Sequence, residues 1–180
     1  MSLRDDLLVW IDLEMTGLDP YENKIIEIAS IVTDSELSII AEGPNIVIHQ
    51  SEEELAKMDE WNVSHHTKNG LIEKVRSSSI DAKTAEKMTC DFLAKYCEPN
   101  TALLCGNTIG TDRLFLFFQM QELEKFVHYR SIDVTSVKEL TRRWYPKGKK
   151  YRKNSGHRAL DDIRGSIDEL KLYREHFFRE

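Results

Sequence analysis

Over positions 7–15 the chain reads Leu-Leu-Val-Trp-Ile-Asp-Leu-Glu-Met, an apolar, β-prone run with two carboxylates in its second half. Side chains alternate between the faces of a strand, so Asp12 and Glu14 share one face, about 7 Å apart. Two carboxylates at that spacing repel each other and resist burial. Two arrangements accommodate them. The strand can lie at a sheet edge with this face in water, or the pair can hold a divalent cation, because hard cations take oxygen ligands and offset the repulsion.

The other elements follow in order. Residues 24–33 form a second β-rich run, and 39–49 a third, broken by Gly43-Pro44. Three successive strands predict an antiparallel meander. Ser51-Glu52-Glu53-Glu54 has capping-box spacing and opens a short helix that buries Leu55 and Met58. Residues 79–97 carry Ala85, Met88, Phe92, Leu93 and Tyr96 at helical spacing. A short strand at 101–105 turns at Gly106-Asn107 into a helix running to about 123, with Phe115, Phe117 and Phe118 expected in the core. A strand at 130–134, a helix at 136–144 and a last helix at 159–178 complete the chain. The last helix is expected to bury Leu160, Ile163, Ile167, Leu170 and Phe177. Three strands followed by α/β alternation predict an α/β fold with a central mixed sheet flanked by helices.

Composition narrows the setting. The 180 residues, 41% hydrophobic and 31% charged, suit one domain over 1–180 with a sizeable core. The longest apolar run, 7–11, is far short of the roughly 20 residues that cross a bilayer, and no leader pattern opens the chain. Cys90, Cys97 and Cys105 form no Cys-x-x-Cys. On one helix the first two would lie roughly 10 Å apart, too far for a disulfide. A cytoplasmic location is expected. The net charge of −6 disfavours a polyanionic partner until its distribution is read. Between positions 142 and 158 stand eight basic residues and no acid, leaving −14 on the remainder. That segregation creates a local field for an anion, or else a merely solvated loop.

Two further acids stand at helix starts. Asp112 follows Gly106-Asn107-Thr108-Ile109-Gly110-Thr111, and Asp162 lies in Asp161-Asp162. Alone, each is an ordinary first-turn acid favoured by the helix dipole. His157 precedes Asp162 by five positions, after Ser155-Gly156. Taken together, Asp12-x-Glu14, Asp112 and His157-x4-Asp162 resemble the exonuclease superfamily with four acidic residues and a histidine. Within it, the chain is similar to the oligoribonuclease family. The segments that carry this likeness are Trp10-Ile11-Asp12-Leu13-Glu14-Met15-Thr16-Gly17-Leu18-Asp19-Pro20, Met58-Asp59-Glu60-Trp61-Asn62-Val63, Gly106-Asn107-Thr108-Ile109-Gly110, Tyr129-Arg130, Leu140-Thr141-Arg142-Arg143-Trp144 and Tyr173-Arg174-Glu175-His176-Phe177. They run from about residue 7 to 178. Thr111, Leu114, Thr108, Thr135 and Gly156 depart from the residues more usual there, and none of them is a metal ligand.

The resemblance implies a ribonuclease H-like exonuclease fold and 3′→5′ hydrolysis of short RNA to nucleoside 5′-monophosphates. It implies two divalent ions, Mg2+ or Mn2+, on Asp12, Glu14, Asp112 and Asp162, with His157 as general base. It also implies Leu18 as a wedge against the bases and Trp61 as a stacking platform. His66, Thr108, Arg130 and Thr135 would hold the phosphate opposite the reactive end, with Asn107 beside them. Tyr129 would reach the site of a second subunit in a homodimer. The bland alternatives are a core tryptophan at Trp61 and a surface ion pair of Arg130 with Glu124 or Asp133. A ribonuclease T-like or proofreading exonuclease is the rival enzyme, and a non-catalytic dinucleotide-binding protein the rival of another class.

Overall fold

A computed structural model describes residues 6–151 and 158–178. β1 (Leu8–Met15) pairs antiparallel with β2 (Ile25–Thr33), which pairs antiparallel with β3 (Ile39–Glu42) and β4 (Ile46–Val47). On its other side β1 pairs parallel with β5 (Leu103–Gly106), and β5 with β6 (His128–Asp133). The order β3-β2-β1-β5-β6 puts the acid-bearing strand in the middle of a mixed sheet. An edge strand with a wet face is therefore excluded for β1.

Helices cover both faces, which is why all nine positions of β2 are buried. One face carries Val9, Ile11 and Leu13 against α4 (Ala82–Leu93), α5 (Ile109–Gln119) and α6 (Gln121–Phe126). The opposite face carries Leu8 and Trp10 against α7 (Val134–Trp144) and α8 (Ala159–Phe177). Trp10 is fully buried there, and its indole N–H donates to Thr33 Oγ1 at 3.0 Å. α1 (Glu52–Leu55), α2 (Glu60–Lys68) and α3 (Leu71–Ser77) close the end of the sheet near β4. Ser51 caps α1 by accepting the Glu54 amide N–H, and both Leu55 and Met58 are buried as expected.

Several local expectations are corrected. α2 and α3 are not among the expected elements: α2 buries only His66 and is otherwise polar or exposed, while α3 is a short helix that buries Leu71, Ile72 and Val75. The helix after β5 is two helices, broken at buried Met120, whose φ of −142° is extended. Of the three phenylalanines on α5, Phe115 is buried, while Phe117 and Phe118 are exposed. At 100° per residue, a helix that points 115 and 116 inward turns 117 and 118 outward. Met88 on α4 is exposed for the same reason. Leu160, Leu170 and Phe177 are partly buried beside the fully buried Ile163 and Ile167. All three cysteines are free thiols, and burial pushes Cys90 and Cys97 up to about 11. No helix among the described residues is long and apolar enough to cross a membrane.

Candidate active site

The sheet register explains where the acids meet. β5 pairs with β1 only as far as Trp10↔Cys105, so residues 12–15 overhang their parallel neighbour. Asp12 and Glu14 lie on the same face as Leu8 and Trp10, the face that α8 covers. Asp162 stands in the first turn of α8 and is 7% exposed. Asp12, Glu14 and Asp162 each present a carboxylate oxygen within 4.8 Å of the others. Three carboxylates at that distance, one of them buried, need a positive charge among them, and an all-oxygen donor set fits a hard divalent cation.

Asp112 arrives from the other layer. It lies in the first turn of α5, 7% exposed, and its Oδ1 accepts the Leu13 amide N–H at 3.0 Å. Beyond the end of β5 that amide lacks a strand partner, and the Asp112 carboxylate satisfies it. Burial pushes the Asp112 carboxyl up to about 7, against the pull of the Leu13 amide. The structure thus groups three of the four acids and places the fourth on the backbone between Asp12 and Glu14. His157 lies outside the described residues.

The turn after β1 carries the next expected residue. Gly17 allows the close packing of that turn, since a Cβ there would sit 2.4 Å from Asn23 Oδ1, the oxygen that accepts the Asp19 amide at 2.9 Å. Leu18 projects from it, 77% exposed. Trp61, at the start of α2, is 67% exposed and stacks on His65 at 4.8 Å with planes 7° apart. It is a surface platform, not a core residue.

The residues expected around the distal phosphate divide. Thr108 and Thr135 hydroxyls meet at 3.0 Å, and Asp133 Oδ1 accepts the backbone N–H of both residues at 2.9 Å. Thr108 has a φ of +52°, a left-handed backbone that costs a non-glycine residue about 1–2 kcal/mol. Such strain is retained where surrounding contacts over-determine it, often at functional sites. Arg130 has no carboxylate partner among the described residues, since Glu124 binds Arg113 at 3.1 Å and Asp133 caps α7. Its Nε donates to the Tyr129 hydroxyl at 2.9 Å, and its guanidinium lies 5.3 Å from the centre of that ring. Tyr129 is exposed on β6, an edge strand.

His66 does not join that group. It is 1% exposed, with Nε2 at 3.1 Å from the Met15 carbonyl and Nδ1 at 4.0 Å from Glu14 Oε2. Burial holds its pKa below the ordinary histidine value, and it meets no surface where a phosphate could dock. Asn107 donates from Nδ2 to Glu169 Oε2 at 2.9 Å, and Glu169 also accepts the Tyr173 hydroxyl at 2.6 Å, so Asn107 belongs to a buried network. The basic stretch is less free than its composition suggests. Arg142 and Arg143 both bind Glu139, holding its carboxyl down to about 2, while Lys147, Lys149 and Lys150 are exposed.

Two residues of the site escaped sequence reading. Glu27 lies opposite Glu14 across the β1–β2 pair and is fully buried. Its two oxygens accept Arg158 Nε at 3.1 and 3.0 Å. The hydrogen bond to Glu27, and the nearby Glu14 charge, raise the pKa of Arg158. A signal existed: Glu27 is the one charged residue in a strand that otherwise reads Ile, Ile, Ile, Ala, Ser, Ile, Val, Thr.

With this geometry in hand, the relatives are informative. A family model described as an exonuclease matches residues 9–170. The oligoribonuclease of Vibrio vulnificus strain CMCP6 is 59% identical over 180 residues, covering 99% of each chain. That of Escherichia coli strain K12 is 52% identical over 182 residues, again covering 99% of each. Among solved structures, exonuclease I from Methylocaldum szegediense is similar at a TM-score of 0.70 and 18% identity, over 94% of this chain and 40% of that one. E. coli exonuclease I in complex with an oligonucleotide gives 0.73 and 16%, over 96% and 41%. The chain spans about two-fifths of exonuclease I, and that likeness concerns the exonuclease fold.

Proposed function

The chain belongs to the oligoribonuclease family, and from that premise we propose that it is a 3′→5′ exoribonuclease that reduces short oligoribonucleotides, dinucleotides included, to nucleoside 5′-monophosphates. The observation that carries this reading is the convergence of Asp12, Glu14 and Asp162 within 4.8 Å, in a chain with full-length oligoribonuclease relatives. The whole chain serves as one exonuclease domain.

When bound, two divalent cations, Mg2+ or Mn2+, neutralise the phosphodiester and lower the pKa of the attacking water. Asp12, Glu14 and Asp162 would hold one cation, and Asp112 would contribute to holding the second. His157 takes the water's proton, a role for which a side chain with an ordinary pKa near 6.5 is suited at neutral pH. The water oxygen bonds to phosphorus as the P–O3′ bond breaks. The terminal nucleotide leaves with its 5′-phosphate, and the upstream 3′ oxygen takes a proton from solvent water.

Leu18 and Trp61 offer exposed apolar surface to the bases, a contact that tolerates any sequence. Thr108, Thr135 and Arg130 supply hydroxyls and a cation for the far phosphate, a clamp that favours short substrates. Tyr129 on the open edge of the sheet reaches a second copy of the chain, making the active unit a homodimer. The unpaired thiols suit a reducing, cytoplasmic setting.

Asp162→Ala tests the reading. Hydrolysis is expected to be lost while a labelled dinucleotide still binds through Trp61 and the clamp. Unchanged hydrolysis would remove the acid cluster from the chemistry.

A further inference from the structure

The first turn of α8 carries Asp162 but has no side-chain cap of its own. Its amides must find acceptors elsewhere, because the first four N–H groups of a helix have no partner within it. Here the acceptor comes from the sheet. The fully buried Glu27 carboxylate of β2 faces the Ala159 amide at 3.4 Å and grips Arg158, the residue before the helix, through both oxygens. A second Arg158 nitrogen also contacts Glu27. Arg158 in turn accepts the Asp162 amide N–H on its carbonyl at 3.0 Å. An unbroken series of contacts thus runs from Glu27 through Arg158 to Asp162, and Glu27 sits directly opposite Glu14 in the strand register.

We propose that Glu27, acting through Arg158, is the positioning residue that fixes Asp162 against Asp12 and Glu14. A buried ion pair is a poor device for stability alone, since apolar residues of similar volume fill such a place as well or better. A two-pronged Arg–carboxylate contact does something apolar packing cannot: it sets orientation. The carboxylate also places negative charge at the positive end of the α8 dipole. The charge of Arg158, near enough to Glu14 for the two to interact, offsets part of the repulsion in the acid cluster.

The inference rests on reading the acid cluster as a divalent-cation site. It is tested by Mn2+ binding to the purified protein, measured by calorimetry without substrate, for wild type, Asp162→Ala, Glu27→Gln, Arg158→Lys and Glu42→Gln. Glu42 binds Arg164 at 2.8 Å and also ties α8 to the sheet, but through an exposed pair in the second turn of the helix, where Arg164 also meets Asp161 at 3.2 Å. Glu27→Gln is expected to lower Mn2+ affinity tenfold or more. Arg158→Lys, which keeps the charge and loses the fork, shows a smaller loss, and Glu42→Gln stays within twofold. In turnover assays Glu27→Gln lowers kcat with KM for a dinucleotide within twofold, and added Mn2+ restores the rate. If wild type binds no Mn2+, or Asp162→Ala binds it equally, the cation-site reading itself fails. If Asp162→Ala loses binding while Glu27→Gln stays within twofold of wild type, the positioning role alone is overturned. Should Glu27→Gln not fold, Arg158→Lys decides by the same twofold criterion.

Discussion

Trp61→Ala separates substrate contact from fold support at one residue. The indole is 67% exposed and stacks on His65, face to face at 4.8 Å. Removing it therefore costs little folding stability, about 0.5 kcal/mol, as for surface positions in general. For a chain of this size that shifts Tm by roughly 1–2 °C. Base–aromatic stacking is worth about 1–3 kcal/mol per base. One face of the indole is already covered by His65, so a base gains only the other, which places the loss in the lower part of that range. About 1–2 kcal/mol corresponds to a roughly 5- to 30-fold weaker dinucleotide, at tenfold per 1.4 kcal/mol. Binding is measured by fluorescence anisotropy of a labelled dinucleotide in an Asp162→Ala background, beside a thermal melt of each variant. Trp61→Phe should recover most of the affinity. Unchanged binding with an unchanged melt would remove Trp61 from the substrate site, and a Tm loss above about 5 °C would make it a structural residue instead.

Other outcomes follow from the same geometry. Asp112→Asn abolishes activity yet stabilises the chelator-treated protein at pH 8. The folded carboxyl sits at about 7 because of burial, above its unfolded value, so the native state is penalised increasingly as pH rises from about 4 to 7. The ceiling on that gain is about 4 kcal/mol from roughly three pKa units, and urea melts at pH 4.5 and 8 should show most of the advantage at the higher pH. His66 behaves oppositely. Its lowered pKa means the unfolded chain protonates first, so metal-free protein loses stability as pH falls below about 6.5, a loss that His66→Gln should blunt. Turnover is expected to drop on acidification through the His157 pKa, and a flat rate from about pH 5.5 to 8 would count against His157 as base. Tyr129→Ala should depress dinucleotide turnover if a second copy completes the site, whereas full activity would show each subunit acting alone.

Much of the framework was legible because its signals are local. The alternation in β1, the β-branched run of β2 and the 3.6-residue period of α8 each name an element directly. Asp12 and Glu14 stood out because charge does not belong in such a strand without a reason. Where pattern failed, tertiary packing had overridden it. α2 is mostly polar and is held by the Asp59 cap and a single buried histidine, so periodicity had nothing to detect. The break between α5 and α6 falls at Met120, with no glycine or proline to announce it. His66 resembled a surface phosphate ligand by motif, but only the packing of α2 under the end of β1 shows it buried beside Glu14. Pairing between Glu27 and Arg158 spans 131 positions, and no local pattern links residues so far apart.

On the proposed reading, this chain degrades short RNA through a cation-dependent acid site with a distal phosphate clamp. The most direct test follows 5′-labelled RNAs of 2, 5, 10 and 20 nucleotides with Mg2+, Mn2+ or chelator. Rapid, cation-dependent loss of the dimer and pentamer, with the 20-mer lagging, is the predicted result. Equal or faster attack on the 20-mer would contradict the clamp and leave Arg130 without its role, and hydrolysis that persists in chelator would contradict the acid site itself.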